Sequence, residues 1–195
     1  MNRKKCLITF ILLMLTVTVF ANEINLIAVE PLAIPRKQFS AYYSKVSPKG
    51  GSQFTFPLKY QELTDYKKLT AGIVYRTYVE GEPNGFYFEG CSYFDLLDRP
   101  GSNDTFSIIP AFTIGYRIDT EQGIFIEPEG YFYYPISSTI GSPLKLAEKL
   151  NNEFRITVGL DNIWPNGFFL APRATFSYKE NSLFAIGHLY VGYGF

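Results

Sequence analysis

LFAIGHLYVGYGF, Leu183 to Phe195, is the stretch whose reading decides the fold. With the two-residue period of a strand, Leu183, Ala185, Gly187, Leu189, Val191, Tyr193 and Phe195 share one face. Phe184, Ile186, His188, Tyr190, Gly192 and Gly194 share the other. The first row carries no charge and no strongly polar group over thirteen residues. A face of that kind needs an apolar surrounding along its whole length, which means either a packed core or lipid.

The same alternation recurs upstream. Ala71, Ile73, Tyr75, Thr77 and Val79 form one row, and Phe86, Phe88, Gly90, Ser92 and Phe94 continue another from Asn84. The segment after Asp104 is the clearest: Phe106, Ile108, Pro110, Phe112, Ile114, Tyr116 and Ile118 oppose Ser107, Thr113, Arg117 and Asp119. Ile124, Ile126, Pro128, Gly130, Phe132 and Tyr134 oppose Glu127 and Glu129. Phe154, Ile156, Val158, Leu160, Asn162 and Trp164 oppose Arg155 and Asp161, and Phe168, Leu170, Pro172, Ala174, Phe176 and Tyr178 oppose Arg173. None of the seven rows holds a charge, although 18% of the chain is charged. Nearer the amino terminus, Phe54, Phe56, Leu58 and Tyr60 alternate with Gln53, Thr55 and Lys59, Phe39 to Val46 pairs with them across Ser47-Pro48-Lys49-Gly50-Gly51, and Ile24 to Ile34 is a further candidate strand. Counting these gives ten strands, and leaving out the first two gives eight. Pro57, Pro110, Pro128 and Pro172 fall inside strands, where each lacks an amide donor, and bulges are the expected accommodation.

The links divide into two kinds. Residues 80–84, 119–122 and 164–166 make tight turns, and they alternate with longer links at 61–69, 95–104 and 135–153. Short turns at one end and long loops at the other are what transmembrane barrels show. In the longest link, Ser142-Pro143 followed by Leu144 to Leu150 predicts a short helix, with an N-cap serine and a first-turn proline.

Residues 1–21 read as a secretory signal peptide: Arg3, Lys4 and Lys5, an apolar run from Leu7 to Phe20, and cleavage after Ala21. About 14 apolar residues are short for a helical span, which needs about 20. Removing three of the 18 basic residues leaves 15 against 18 acidic ones, a balance that gives no electrostatic reason to bind nucleic acid. Only Cys91 remains, so an internal disulfide is excluded from the processed chain. Residues 22–195 suit one domain.

These features resemble the small outer-membrane β-barrel proteins of didermic bacteria. The resemblance rests on Val74 to Tyr78, Asn84 to Gly90 and Ile114 to Tyr134, which are similar to strand-turn-strand phrases of uncharacterised members of that family, and on the closing aromatic strand. In such proteins the terminal aromatic belongs to an assembly signal. The resemblance implies that role for Tyr193 and Phe195, and it implies outer-membrane lipid and the barrel-assembly machinery as partners. The expected fold is therefore all-β: an antiparallel up-and-down transmembrane β-barrel of 8–10 strands with one short helix in a long loop, monomeric and located in the bacterial outer membrane.

The face opposite the apolar rows is the candidate site. It carries Arg76, Arg117, Arg155 and Arg173 against Glu89, Glu127, Glu129 and Asp161, with tyrosines between them. In a narrow barrel these charges are expected to pair across the lumen, because an unpaired charge away from water is costly. A structural or surface-exposed barrel with a polar, salt-bridged lumen follows. A narrow, weakly selective, porin-like pore is one alternative, and a soluble periplasmic lipocalin-like barrel with its apolar rows around a ligand is another. No catalytic, cofactor-binding or metal-binding set is expected: His188 has no nearby serine, and Cys91 stands alone.

Overall fold

A computed structural model of the protein describes residues 24–195 except 63, 102, 140–144, 148–149, 161 and 164–166. The expected signal peptide and Asp161 lie outside the described residues. Thirteen strands follow in chain order: β1 (Ile24–Val29), β2 (Gln38–Val46), β3 (Ser52–Glu62), β4 (Lys67–Tyr78), β5 (Gly85–Asp98), β6 (Thr105–Asp119), β7 (Ile124–Tyr133), β8 (Ile136–Thr139), β9 (Lys145–Leu146), β10 (Asn151–Leu160), β11 (Asn162–Ile163), β12 (Phe168–Lys179) and β13 (Ser182–Gly194). Ten of them close a barrel. Neighbours in sequence pair antiparallel from β1 to β7, the ladder continues through β10, β12 and β13, and β13 returns to β1. The fold is an up-and-down ten-stranded antiparallel barrel. The last residue helps to close it, since Phe195 and Asn25 exchange two backbone hydrogen bonds of 2.9 Å.

The apolar rows face outward. Ile73, Phe86, Phe88, Phe112, Ile114, Phe154 and Phe176 are all exposed, whereas Thr113, Arg117, Phe125 and Glu127 on the opposite parity are buried. This inverts the arrangement of a water-soluble ligand-binding barrel, whose apolar rows would turn inward. Aromatic cross-strand pairs mark both ends of the outer wall. Phe54 and Tyr75 (ring centroids 4.5 Å apart), Phe86 and Tyr116 (4.7 Å), and Phe168 and Tyr193 (4.9 Å) lie at the rim that carries the links 79–84, 120–123 and 161–167. Phe39 opposite Tyr60 and Phe154 opposite Tyr178 lie toward the other rim, where the chain passes through 30–37, 63–66, 99–104 and 134–150.

Several expectations are corrected. The prolines make no bulge. The β3–β4 ladder pairs Thr55 with Val74 and resumes in the same register at Leu58 with Ala71, skipping the step at Pro57. The β6–β7 ladder likewise skips from Gly115–Glu129 to Ile118–Ile126 beside Pro128, while Pro128 keeps its place opposite Ile156 on β10. Each proline thus interrupts a ladder locally, and the strand continues. The first candidate strand ends at Val29 instead of Ile34, because Pro31 and Pro35 turn the chain into a 3₁₀ segment, Pro31–Arg36, stopped by Lys37 in the left-handed conformation (φ 56°). The helix expected in the long link falls partly outside the described residues. Within the described part, Lys145–Leu146 is β9, paired with β8 above the rim.

Candidate functional site

Among the described residues the buried polar side chains gather in the lumen, and strand register assembles them. Arg76 on β4 stands directly opposite Glu89 on β5, and its Nε donates to Glu89 Oε2 over 2.9 Å. Three strands round the barrel, Glu127 on β7 offers Oε1 to Nη1 of the same arginine (3.0 Å) and to Nη1 of Arg117 (3.2 Å). One carboxylate oxygen therefore bridges two guanidinium groups. Arg117 also grips Asp119, two residues along its own strand, at 2.8–3.0 Å. Higher in the lumen Arg155 pairs with Glu153 (3.0 Å) and approaches Glu129 (3.7 Å), and the Tyr87 hydroxyl donates to Glu129 Oε2 (2.7 Å).

Aromatic rings complete this layer. The Arg76 guanidinium lies 4.2 Å from the Tyr87 ring centre, Arg117 lies 4.2 Å from Phe125, and Arg155 lies 3.8 Å from Tyr131. Tyr87 and Phe125 are 0% exposed, enclosed by the side chains around them. Of the eight residues expected in the network, Arg76, Glu89, Arg117, Glu127, Glu129 and Arg155 meet as described. Arg173 joins through aromatic contacts, over Phe125 at 5.1 Å and Tyr190 at 5.5 Å. Tyr193 and Phe195 stack at 6.2 Å on the outer wall.

Above this layer the lumen widens into a vestibule of about 440 Å³, walled by Tyr93, Tyr131 and Tyr133 and edged by Lys59, Lys68 and Arg155. Asp95 is held there by Lys68 (2.7 Å) and by the Thr70 hydroxyl (2.6 Å). Against the closing strand, Glu30 accepts from Arg36 Nη2 at 2.9 Å and lies 2.8 Å from His188 Nδ1, with His188 stacked on Tyr190. Sequence reasoning passed over Phe125, Glu153 and the Glu30–Arg36–His188 group. Phe125 could have been found from its parity beside Glu127. Glu30 was hidden because the strand was expected to run through it.

Among the described residues no group of histidine, cysteine and carboxylate side chains is arranged to hold a metal ion. Cys91 is buried beside Val74 and Tyr131, as a small packed side chain would be.

No protein-family model matches the chain, and no curated protein is similar to it in sequence. Among solved structures, the crystal structure of the beta domain of the Bordetella autotransporter Brka is similar over 89% of this chain and 98% of that chain, with 10% sequence identity and a TM-score of 0.43.

Proposed function

We propose that the protein is a non-conducting outer-membrane β-barrel, with Phe195 and the short turns in the periplasm and the longer links at the cell surface. The observation that carries this is the outward apolar wall bounded by aromatic pairs at both ends. From Phe168 to Tyr178 is ten residues along β12, roughly 34 Å at strand rise. With a tilt of about 40° this becomes roughly 26 Å, close to the ~25 Å apolar band of outer-membrane barrels. The lumen supports a structural or surface-exposed role in preference to a porin, because the Arg76–Glu127–Arg117 ion pairs and the buried Tyr87 and Phe125 rings reach across it. Assembly through the closing strand belongs to the same reading, as does a monomeric state in lipid.

Conductance tests this directly. Reconstituted wild-type protein should show no steady current in planar bilayers. Arg117→Ala removes one of the two cations on Glu127 and the partner of Asp119, so it should lower stability by roughly 3–5 kcal/mol and admit a small cation-preferring current. Clear wild-type channels together with an unchanged unfolding midpoint in the variant would replace the plug with a weakly selective pore.

A further inference from the structure

Polar groups without partners gather round the vestibule. The acids on its wall are committed: Asp95 holds Lys68 at 2.7 Å and accepts from the Thr70 hydroxyl at 2.6 Å, and Glu153 holds Arg155 at 3.0 Å. Those contacts also occupy Lys68 and Arg155. Lys59, the remaining cation of the lining, has no ion pair or hydrogen bond through its ammonium among the described residues. It feels the charges of Glu30 and Asp95, but Arg36 and Lys68 are the cations that touch those carboxylates. Gln61, two residues along β3 and of the same parity, has no side-chain partner among the described residues either. On β7, Tyr131 is 8% exposed and borders the same cavity, yet its hydroxyl has no hydrogen-bond partner among the described residues.

These free groups select a class of ligand. The Lys59 ammonium and the Gln61 amide are rich in N–H donors and carry one positive charge between them, which suits a carboxylate. A phosphate dianion would keep an unmatched charge. A neutral sugar would leave Lys59 unmatched and would find the acids of the wall already engaged. The rest of the lining receives a ring: Tyr93 and Ile109 stand directly opposite each other on β5 and β6, and both border the cavity. Arg155 lies over Tyr131 and Lys179 over Tyr133, whereas no ring or cation is stacked on Tyr93 among the described residues. A cavity of about 440 Å³ has the size of a small-molecule site.

We propose that the vestibule binds a small hydroxylated aromatic carboxylate, with its carboxylate on Lys59 and Gln61, its ring against Tyr93 and Ile109, and its hydroxyl at Tyr131. The site goes beyond the structural role proposed above, and it does not depend on what surrounds the outer wall.

The probes are para-hydroxybenzoate, benzoate and para-hydroxybenzamide, titrated by ligand-detected NMR into the folded protein in nonionic detergent, with protein-free micelles subtracted. Wild type should bind para-hydroxybenzoate about tenfold more tightly than its amide, as one charge-assisted contact provides. Lys59→Gln should bring the acid down to the level of the amide, and Lys59→Arg should keep the preference. Tyr131→Phe retains the ring, so it should weaken para-hydroxybenzoate about fivefold and leave benzoate unchanged. The unboiled gel shift checks that each variant is folded, and the comparison of acid with amide on wild type needs no variant. Absence of saturable binding by every probe, or equal affinity for acid and amide, overturns the proposal. An acid preference that survives Lys59→Gln overturns the place given to the carboxylate. Maltose bound in preference to the aromatic probes makes the vestibule a sugar site instead.

Discussion

Tyr87 reaches Glu129 only because the residue facing it across the ladder is Gly115. A Cβ built on Gly115 would run into the Tyr87 ring and hydroxyl. Three more lumen aromatics lie over an opposing glycine in the same way: Tyr93 over Gly72, Phe125 over Gly159 and Phe169 over Gly192. Large rings thus lie flat across the lumen where two facing side chains would collide. Gly115→Ala should push Tyr87 off Glu129 and cost roughly 1–3 kcal/mol by overpacking, whereas Gly90→Ala, with nothing within 4 Å of the new methyl, should be close to neutral. Denaturant unfolding in detergent measures both. Equal midpoints for the two variants would refute the close-approach account.

At the scale of elements, closure is the weakest joint. β1 is six residues long and shares four pairs with β13, to which Phe195 adds its two bonds to Asn25. Deleting Phe195 removes both bonds and the stack on Tyr193, so it should lower the yield of the compact, heat-modifiable form on gels. An unaltered yield would count against a role for the terminal aromatic in assembly. Strand parity was legible in the sequence because a period of two needs no knowledge of partners, and the pairing of Phe39–Val46 with Phe54–Tyr60 followed from a short turn. The prolines misled because an interrupted ladder and a bulge leave the same mark in sequence. In the lumen, Arg76 with Glu89 follows from one hairpin, but Arg76 with Glu127 and Glu30 with His188 depend on how the barrel closes. Residues 51 and 158 positions apart cannot be matched by local spacing. The rings of Phe125 and Tyr190 beside the Arg173 guanidinium were not legible either, because they come from β7 and β13.

As a whole the molecule is turned inside out relative to a protein folded in water. Arg117, Glu127, Glu30 and Asp95 are buried while Phe86, Ile114, Phe154 and Phe168 are exposed. Folding in water would leave that apolar wall without a partner, which is the physical ground for the lipid surrounding proposed above. The two rims are not equivalent, and that asymmetry sets an orientation. The Phe195 rim carries links of similar, modest length, whereas the opposite rim, beside the short turn 180–181, carries the 3₁₀ segment, the β8–β9 extension and the mouth of the vestibule. Placing the vestibule outward predicts that a membrane-impermeant maleimide labels Asn103→Cys on intact cells and leaves Glu82→Cys unmodified until the outer membrane is opened. Cys91 is buried in the lumen and should add little background. Labelling of Glu82→Cys alone would invert the barrel and place the vestibule in the periplasm, and recovery of both variants in a detergent-free soluble fraction would remove it from the membrane altogether.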